Sequence, residues 1–187
     1  MYYGEKVVIR GLELSDTEEL LKYWNDLELR RFLFNQLPNS KEEEEEFIRS
    51  TWSSRKSNRE YLFAVDTLEG VFIGTTGLSF VDPINRAAVF GIAIFNKEYW
   101  GKGYGTDITR VICGFGFNIL NIHSIRLDYL DGNEGGKKAY TRVGFKEVGR
   151  LRQSIYRNGS YTDRILMDIL KDEFNALNPN FTLTKKE

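Results

Sequence analysis

The residues best able to do chemistry lie in Trp100-Gly101-Lys102-Gly103-Tyr104-Gly105-Thr106, a glycine-rich loop between a β-like run and a helical one. Such a loop is an anion site in principle. Glycine lets the backbone approach a phosphate, and a helix N-terminus offers unpaired N–H groups at its positive end. The Walker loop needs four residues between its first Gly and Gly-Lys-Ser/Thr, and that spacing is absent. The dinucleotide fingerprint G-x-G-x-x-G fails as well. Its third glycine position holds Thr106 when counted from Gly101, and Ile108 when counted from Gly103. On spacing alone, a tight strand-to-helix turn without a ligand stays open beside the anion site. Downstream, Asn133 and Tyr140 stand seven residues apart, which puts both on one helical face. Asn133 is suited to a ligand contact or to a plain helix cap. Tyr140 is suited to proton donation or to a core position with its hydroxyl at the rim.

The elements that must position these residues can be read in order. Lys6 to Arg10 reads as a strand. Ser15-x-x-Glu18 reads as a capping box that opens a helix carrying Leu20, Leu21, Trp24 and Leu27. A second helix is predicted to start at Ser40, with Glu43 completing its box. The run Glu42–Glu46 reads as a solvated face whose first turn suits the helix dipole; its functional alternative is an acidic lip that attracts a polycation. Strands are predicted at Tyr61–Val65 and Val71–Phe80, joined by a hairpin loop, and a further turn at Asp82-Pro83-Ile84-Asn85. Ala87–Phe95 is a nearly continuous apolar strand of the kind buried on both faces. Ile108, Val111, Ile112 and Phe115 stripe a helix over Thr106 to about Leu120, with Cys113 packed on it. A strand over Ser124–Leu130 and a short helix over Glu134–Val143 follow, the latter ended by Gly144. Asn158-Gly159 marks a tight I′ turn between runs at Gln153–Arg157 and Tyr161–Met167. The tail after about Lys171 is polar and reads as loose or as a cover for a neighbour. This order predicts an α/β fold, with a mixed, mostly antiparallel sheet flanked by helices, in a single domain over residues 1–187 with a core of about 5–172.

Bulk properties narrow the classes. The chain has 187 residues, 41% of them hydrophobic and 14% aromatic, enough for a real core. Its net charge of −1 argues against a nucleic-acid partner. No stretch is apolar enough to span a bilayer, so no membrane partner is expected, and the N-terminus lacks the apolar run of a signal peptide. One cysteine forms no intramolecular disulfide and gives no metal framework. A cytoplasmic protein without a metal is the expectation.

Residues 99–106, YWGKGYGT, resemble the acetyl-CoA pyrophosphate loop of the GNAT N-acetyltransferase superfamily. Asn133-Glu-Gly-Gly-Lys-Lys-Ala-Tyr140-Thr-Arg-Val-Gly144-Phe145 resembles its second motif, Asn-x-x-Ser-x-x-x-Tyr-x-x-x-Gly-Phe. The pair in this order is far more specific than either motif alone. The resemblance covers residues 5–170. The ending, Gly149-Arg150-Leu-Arg152 and then Tyr156-Arg-Asn-Gly159-x-Tyr161-x-Asp163, is similar to the branch of ribosomal-protein N-terminal and spermidine acetyltransferases.

The resemblance implies acetyl transfer from acetyl-CoA to an amine by direct attack. Backbone groups of Lys102, Gly103, Tyr104, Gly105 and Thr106 would hold the diphosphate, with Asn133 along the cofactor. Backbone N–H near Ile94 and Phe95 would meet the thioester carbonyl. Tyr140 would protonate the departing thiolate, its reference pKa of ~10 lying near a thiol's ~8.5. Acceptors would be a protein N-terminus, a polyamine or another small amine, and a homodimer is compatible with the reading. The alternative is a module that holds acyl-CoA as a sensor and does no chemistry.

Three departures matter. Many relatives carry a glutamate base on the strand before the loop, where this chain has Val89-Phe90-Gly91. Asp128 or a water chain is left as the substitute. His123, just before a strand start, is a poor one. Gly136 replaces the usual serine, and two glycines in a first turn cost roughly 1 kcal/mol each against alanine. Phe95-Asn96-Lys97-Glu98 is about one residue longer than the usual connection. On the acceptor side the resemblance points to Arg31–Pro38, with Phe32, Phe34 and Leu37 as apolar walls or as packing of the helix junction, and to the 150s.

Overall fold

The structure is a computed structural model that describes residues 1–34 and 37–184. In the strand before the glycine loop, side chains alternate between two helical layers. Ala88 and Phe90 are buried in one cluster, with Ile92 and Ile94 packed against it. Phe95 joins Leu20 and Leu29 in another, with Ala93 at its edge.

The described residues form one eight-stranded sheet in the order β1-β2-β3-β4-β5-β6-β8-β7. The strands are β1 (Tyr2–Tyr3), β2 (Val7–Gly11), β3 (Tyr61–Thr67), β4 (Phe72–Asp82), β5 (Ala87–Ile94), β6 (Ser124–Leu130), β7 (Lys146–Arg157) and β8 (Ser160–Leu170). The helices are α1 (Thr17–Trp24), α2 (Leu27–Arg30), α3 (Lys41–Lys56), α4 (Tyr104–Asn118), α5 (Glu134–Val143) and α6 (Lys171–Leu177). All neighbouring strands pair antiparallel except β5 and β6. The architecture is the expected α/β one, a mostly antiparallel sheet flanked by helices.

Several local expectations change. Ser15 does not cap the first helix. The Asp16 carboxylate accepts from the Glu13 N–H at 2.9 Å and pairs with Arg10 at 2.8 Å, so a 3₁₀ turn over Leu14–Asp16 comes first. Leu27 does not extend α1. Asp26 accepts from the Glu28 N–H at 2.8 Å and starts a separate short helix, leaving Leu27 exposed. The Ser40–Glu43 box is as predicted, with bonds of 3.2 and 2.7 Å. Within the acidic run Glu42, Glu43 and Glu46 are exposed, but Glu44 is buried. β5 is not buried on both faces. Gly91 is exposed, and the α1–α3 side of the strand borders an open cleft.

As far as residue 184 the tail covers its neighbours instead of hanging loose. α6 buries Phe174 against Phe117, and Phe181 lies on Phe174 at 5.5 Å. The Tyr3 N–H donates to the Leu183 carbonyl at 3.1 Å, which ties the tail to β1. Apolar residues at Phe174, Phe181 and Leu183 carry this packing inside a polar composition.

Candidate active site

The parallel pairing of β5 with β6 covers only Ala87–Val89 against Ser124–Arg126. Beyond that the two strands part. β5 continues beside β4 as far as Gly74↔Ile94, and β6 continues beside β8 as far as Leu130↔Arg164. The sheet therefore splits at its centre, and the glycine loop follows the β5 side of the split.

Hydrogen-bond alternation decides what faces that gap. The Phe95 N–H donates to the Ile73 carbonyl in β4 at 2.8 Å. Phe95 is thus spent as a backbone donor, and its ring is buried; this corrects half of the Ile94/Phe95 expectation. In an antiparallel ladder the neighbouring residue points its backbone groups the other way. The N–H of Ile94 consequently faces the gap. Its carbonyl accepts from Trp100 Nε1 at 2.9 Å, so the loop's own indole fixes the strand end. The longer connection is absorbed by a 3₁₀ turn over Lys97–Tyr99, capped by Asn96 on the Glu98 N–H at 2.9 Å.

The loop has an anion site's geometry. Gly103 is left-handed, φ 89°, and is the α4 N-cap with no side chain to offer. The first backbone bond there is Asp107 N–H to Gly103 C=O at 3.1 Å. The N–H groups of Tyr104, Gly105 and Thr106 therefore have no acceptor within the helix. A Cβ on Gly101 would meet nothing within 4 Å, so the approach is open. Gly105 faces Ala139 of α5, where a Cβ would sit 3.6 Å from the alanine methyl and bring the two helices close. Lys102 is exposed. Lys6 lies beside the loop, with its ammonium 5.6 Å from the Tyr104 ring centre. These features fit a diphosphate.

α5 runs over the predicted residues. Asn133 caps it through Oδ1 from the Gly136 N–H at 2.9 Å. A Cβ on Gly136 would lie 2.9 Å from Asn133 Nδ2, so the glycine in place of serine gives this cap room. Tyr140 sits two turns on. Its ring is buried among Phe90, Tyr129 and Phe145, with centroids 5.8–6.2 Å away. Its hydroxyl makes no hydrogen bond among the described residues. Burial first, then the negative ends of Tyr129 and Asp128, push its pKa well above the ordinary tyrosine value. The hydroxyl therefore keeps its proton near neutral pH.

The substitute bases fare differently. Asp128 lies on the β6 side of the gap, but Arg164 holds one of its oxygens, and the Arg164 guanidinium lies over the Phe34 ring at 4.9 Å. His123 is exposed at the start of β6, the end where the strands still pair, and so is remote from the gap.

A cleft of about 310 Å³ lies on the α1–α3 side of β4 and β5. Trp24, Leu33, Phe47, Thr76, Ile92 and Phe95 are among its walls, and it reaches the residues just before Ile94. Of the expected stretch Arg31–Pro38, it is Leu33 that lines the cleft, while residues 35 and 36 lie outside the described residues. Phe32 packs near Trp100 at 6.5 Å, Phe34 lies under Arg164, and Leu37 is exposed. The late hairpin acts from behind. Arg157 is buried and donates to the Arg30 carbonyl at 2.8 Å and to that of Leu33. Sequence reading missed Trp100 as a strand clamp, Arg157 as a loop clamp and Glu44 as a cleft residue. Only Glu44 left a signal: Glu44, Ile48 and Thr51 share one helical face, and all three are buried.

Residues 6–146 match the acetyltransferase (GNAT) domain. A putative ribosomal N-acetyltransferase of Bacillus subtilis, YdaF, is 31% identical over 92% of this chain and 96% of its own. A spermidine N(1)-acetyltransferase of Vibrio cholerae is 28% identical over 91% of this chain and 96% of its own. The crystal structure of spermidine N-acetyltransferase from Vibrio cholerae, in complex with CoA and spermine, superposes with a TM-score of 0.82 at 28% identity, covering 90% of this chain and 97% of that one. This chain belongs to the GNAT family. It is an enzyme, an acetyl-CoA-dependent N-acetyltransferase.

Proposed function

We propose that this enzyme moves an acetyl group from acetyl-CoA to a primary amine, by direct attack in the gap between β5 and β6. The observation that carries the reading is the split sheet, with the Ile94 N–H facing the gap on one side and the Tyr140 hydroxyl without a hydrogen-bond partner among the described residues. The N–H groups of Tyr104, Gly105 and Thr106, with the backbone of Lys102 and Gly103, hold the diphosphate. Asn133 contributes its amide beside the cofactor while capping α5. The Ile94 N–H donates to the thioester carbonyl oxygen as negative charge develops there.

Tyr140 gives its proton to the departing thiolate. Its raised pKa does not spoil the match, because burial raises a thiol in the same desolvated gap too. No carboxylate stands at Val89, and Asp128 is committed to Arg164. The acceptor amine therefore loses its proton to water in the cleft. A protein N-terminus, a polyamine or another small amine fits a cleft with apolar walls, and the relatives named above support both kinds. The single, buried Cys113 fits a reducing compartment such as the cytoplasm.

The test is to incubate the protein with acetyl-CoA and a panel of amines, following thiol release and product mass. Thiol release matched by an acetylated amine is the expected result. Tight acetyl-CoA binding without turnover of any amine would instead favour the sensor reading.

A further inference from the structure

Glu44 stands apart from the acidic run around it. It is 2% exposed, yet it lines the cleft together with Thr75, Thr76 and Ile92. Its Oε2 accepts from Asn39 Nδ2 at 2.8 Å. No donor among the described residues reaches Oε1. The nearby cation, Arg30, is buried as well, but its guanidinium is spent elsewhere. Nε donates to the Trp24 carbonyl at 2.5 Å, Nη1 to that of Leu37, and Nη2 to Asn25 Oδ1 at 3.1 Å. Arg30 forms no ion pair with Glu44 within the described residues. Burial outweighs both Asn39 and Arg30, and the carboxyl is held above its ordinary range.

A carboxylate buried beside a cleft without a counter-ion in contact is costly unless something completes it. The matching group is a cation that donates hydrogen bonds. We propose that Glu44 anchors an ammonium of the acceptor, a nitrogen other than the one acetylated, so that the preferred acceptors are diamines or polyamines. The distinction follows from proton chemistry. A carboxylate partner stabilises the protonated form of an amine, and a protonated amine cannot attack. The nitrogen held by Glu44 is therefore the spectator, and the other end of the molecule extends along β5 toward Ile94. The inference rests on the reading of the cleft as the acceptor site.

The variant Glu44→Gln keeps the side chain's size and its bond to Asn39 while removing the charge. Steady-state kinetics at saturating acetyl-CoA would use spermidine, 1,4-diaminobutane and butylamine, with calorimetric binding of each amine alongside. The expected result is a KM about ten- to a hundredfold higher for the two polycationic acceptors, from loss of a charged hydrogen bond. The kcat for them, the butylamine KM and the acetyl-CoA Kd stay unchanged, the last also reporting an intact fold. Glu44→Asp, which retains the charge, should recover part of the lost affinity. Equal KM values in variant and wild type, an equal loss for butylamine, or a fall in kcat without a change in KM would overturn the anchor and leave Glu44 as charge balance for Arg30. Turnover of amines indifferent to Glu44 would sink this inference and spare the acetyltransferase reading of the cleft. Glu44-dependent diamine binding with no turnover of any amine would do the reverse.

Discussion

Trp100 Nε1 donates to the carbonyl of Ile94 at 2.9 Å, so the first residue of the glycine loop fixes the last residue of the strand before it. The carbonyl and N–H of Ile94 both face away from β4. Holding the one orients the other. Trp100→Phe removes the donor and keeps most of the ring. The expected outcome is a kcat lower by about five- to tenfold, from a hydrogen bond worth about 1 kcal/mol and a looser donor geometry. Acetyl-CoA affinity should change less than kcat, since the α4 N–H groups are untouched. Pre-steady-state thiol release beside equilibrium binding measures the two separately, and an unchanged kcat would free Ile94 from this role.

Tyr140→Phe deletes a hydroxyl that has no hydrogen-bond partner among the described residues and leaves the ring stack on Phe90, Tyr129 and Phe145 in place. Thermal stability should therefore hold within about 0.5 kcal/mol. Loss of a general acid should lower kcat by about 10²- to 10⁴-fold while acetyl-CoA binding persists. Turnover equal to wild type would remove Tyr140 from the acid role. A fall in melting temperature would point to a structural one.

Much of this arrangement was legible in the residues, and what was not follows a physical pattern. The α5 boundaries, the Gly144 cap and the Asn158-Gly159 turn come from local chemistry, and they stand where the spacing put them. The split between β5 and β6 could not be read, because register and the end of a parallel ladder are long-range facts. The Ile94 and Phe95 N–H groups look alike in sequence. Only the bond from Phe95 to Ile73 assigns one of them to the sheet. Ser15 does not cap the first helix because a 3₁₀ turn precedes it, in which Asp16 bonds back to Glu13 and pairs with Arg10 of β2, a contact that no local motif encodes.

Glu44 also makes a prediction about stability and pH. Burial raises its pKa in the folded state. Between the ordinary carboxylate value and the raised one, the folded protein binds the extra proton. Stability from this group is thus fullest at low pH and is lost as pH rises through the raised value. Glu44→Gln does not titrate. Relative to wild type it should gain stability as pH rises from about 4 toward neutrality and show no advantage below the ordinary carboxylate range. Urea denaturation of both proteins at several pH values measures the difference, and a pH-independent gap would contradict it.

Gly114 offers a test of the tail. It lies inside α4 with ordinary helical geometry, so alanine there should gain up to about 1 kcal/mol in helix propensity. A Cβ on Gly114, however, would stand 2.0 Å from Cε1 of Phe181. The ring must leave, and with it the contact on Phe174 and the hold of Leu183 on Tyr3. In the full chain, Gly114→Ala should therefore destabilise and speed proteolytic clipping beyond Leu177. In a chain ended after Leu177 the clash is gone, and the same substitution should stabilise. This reversal of sign between the two backgrounds, read by denaturation, isolates the tail contact from the helix effect. The same sign in both would mean that Phe181 does not occupy the notch in solution.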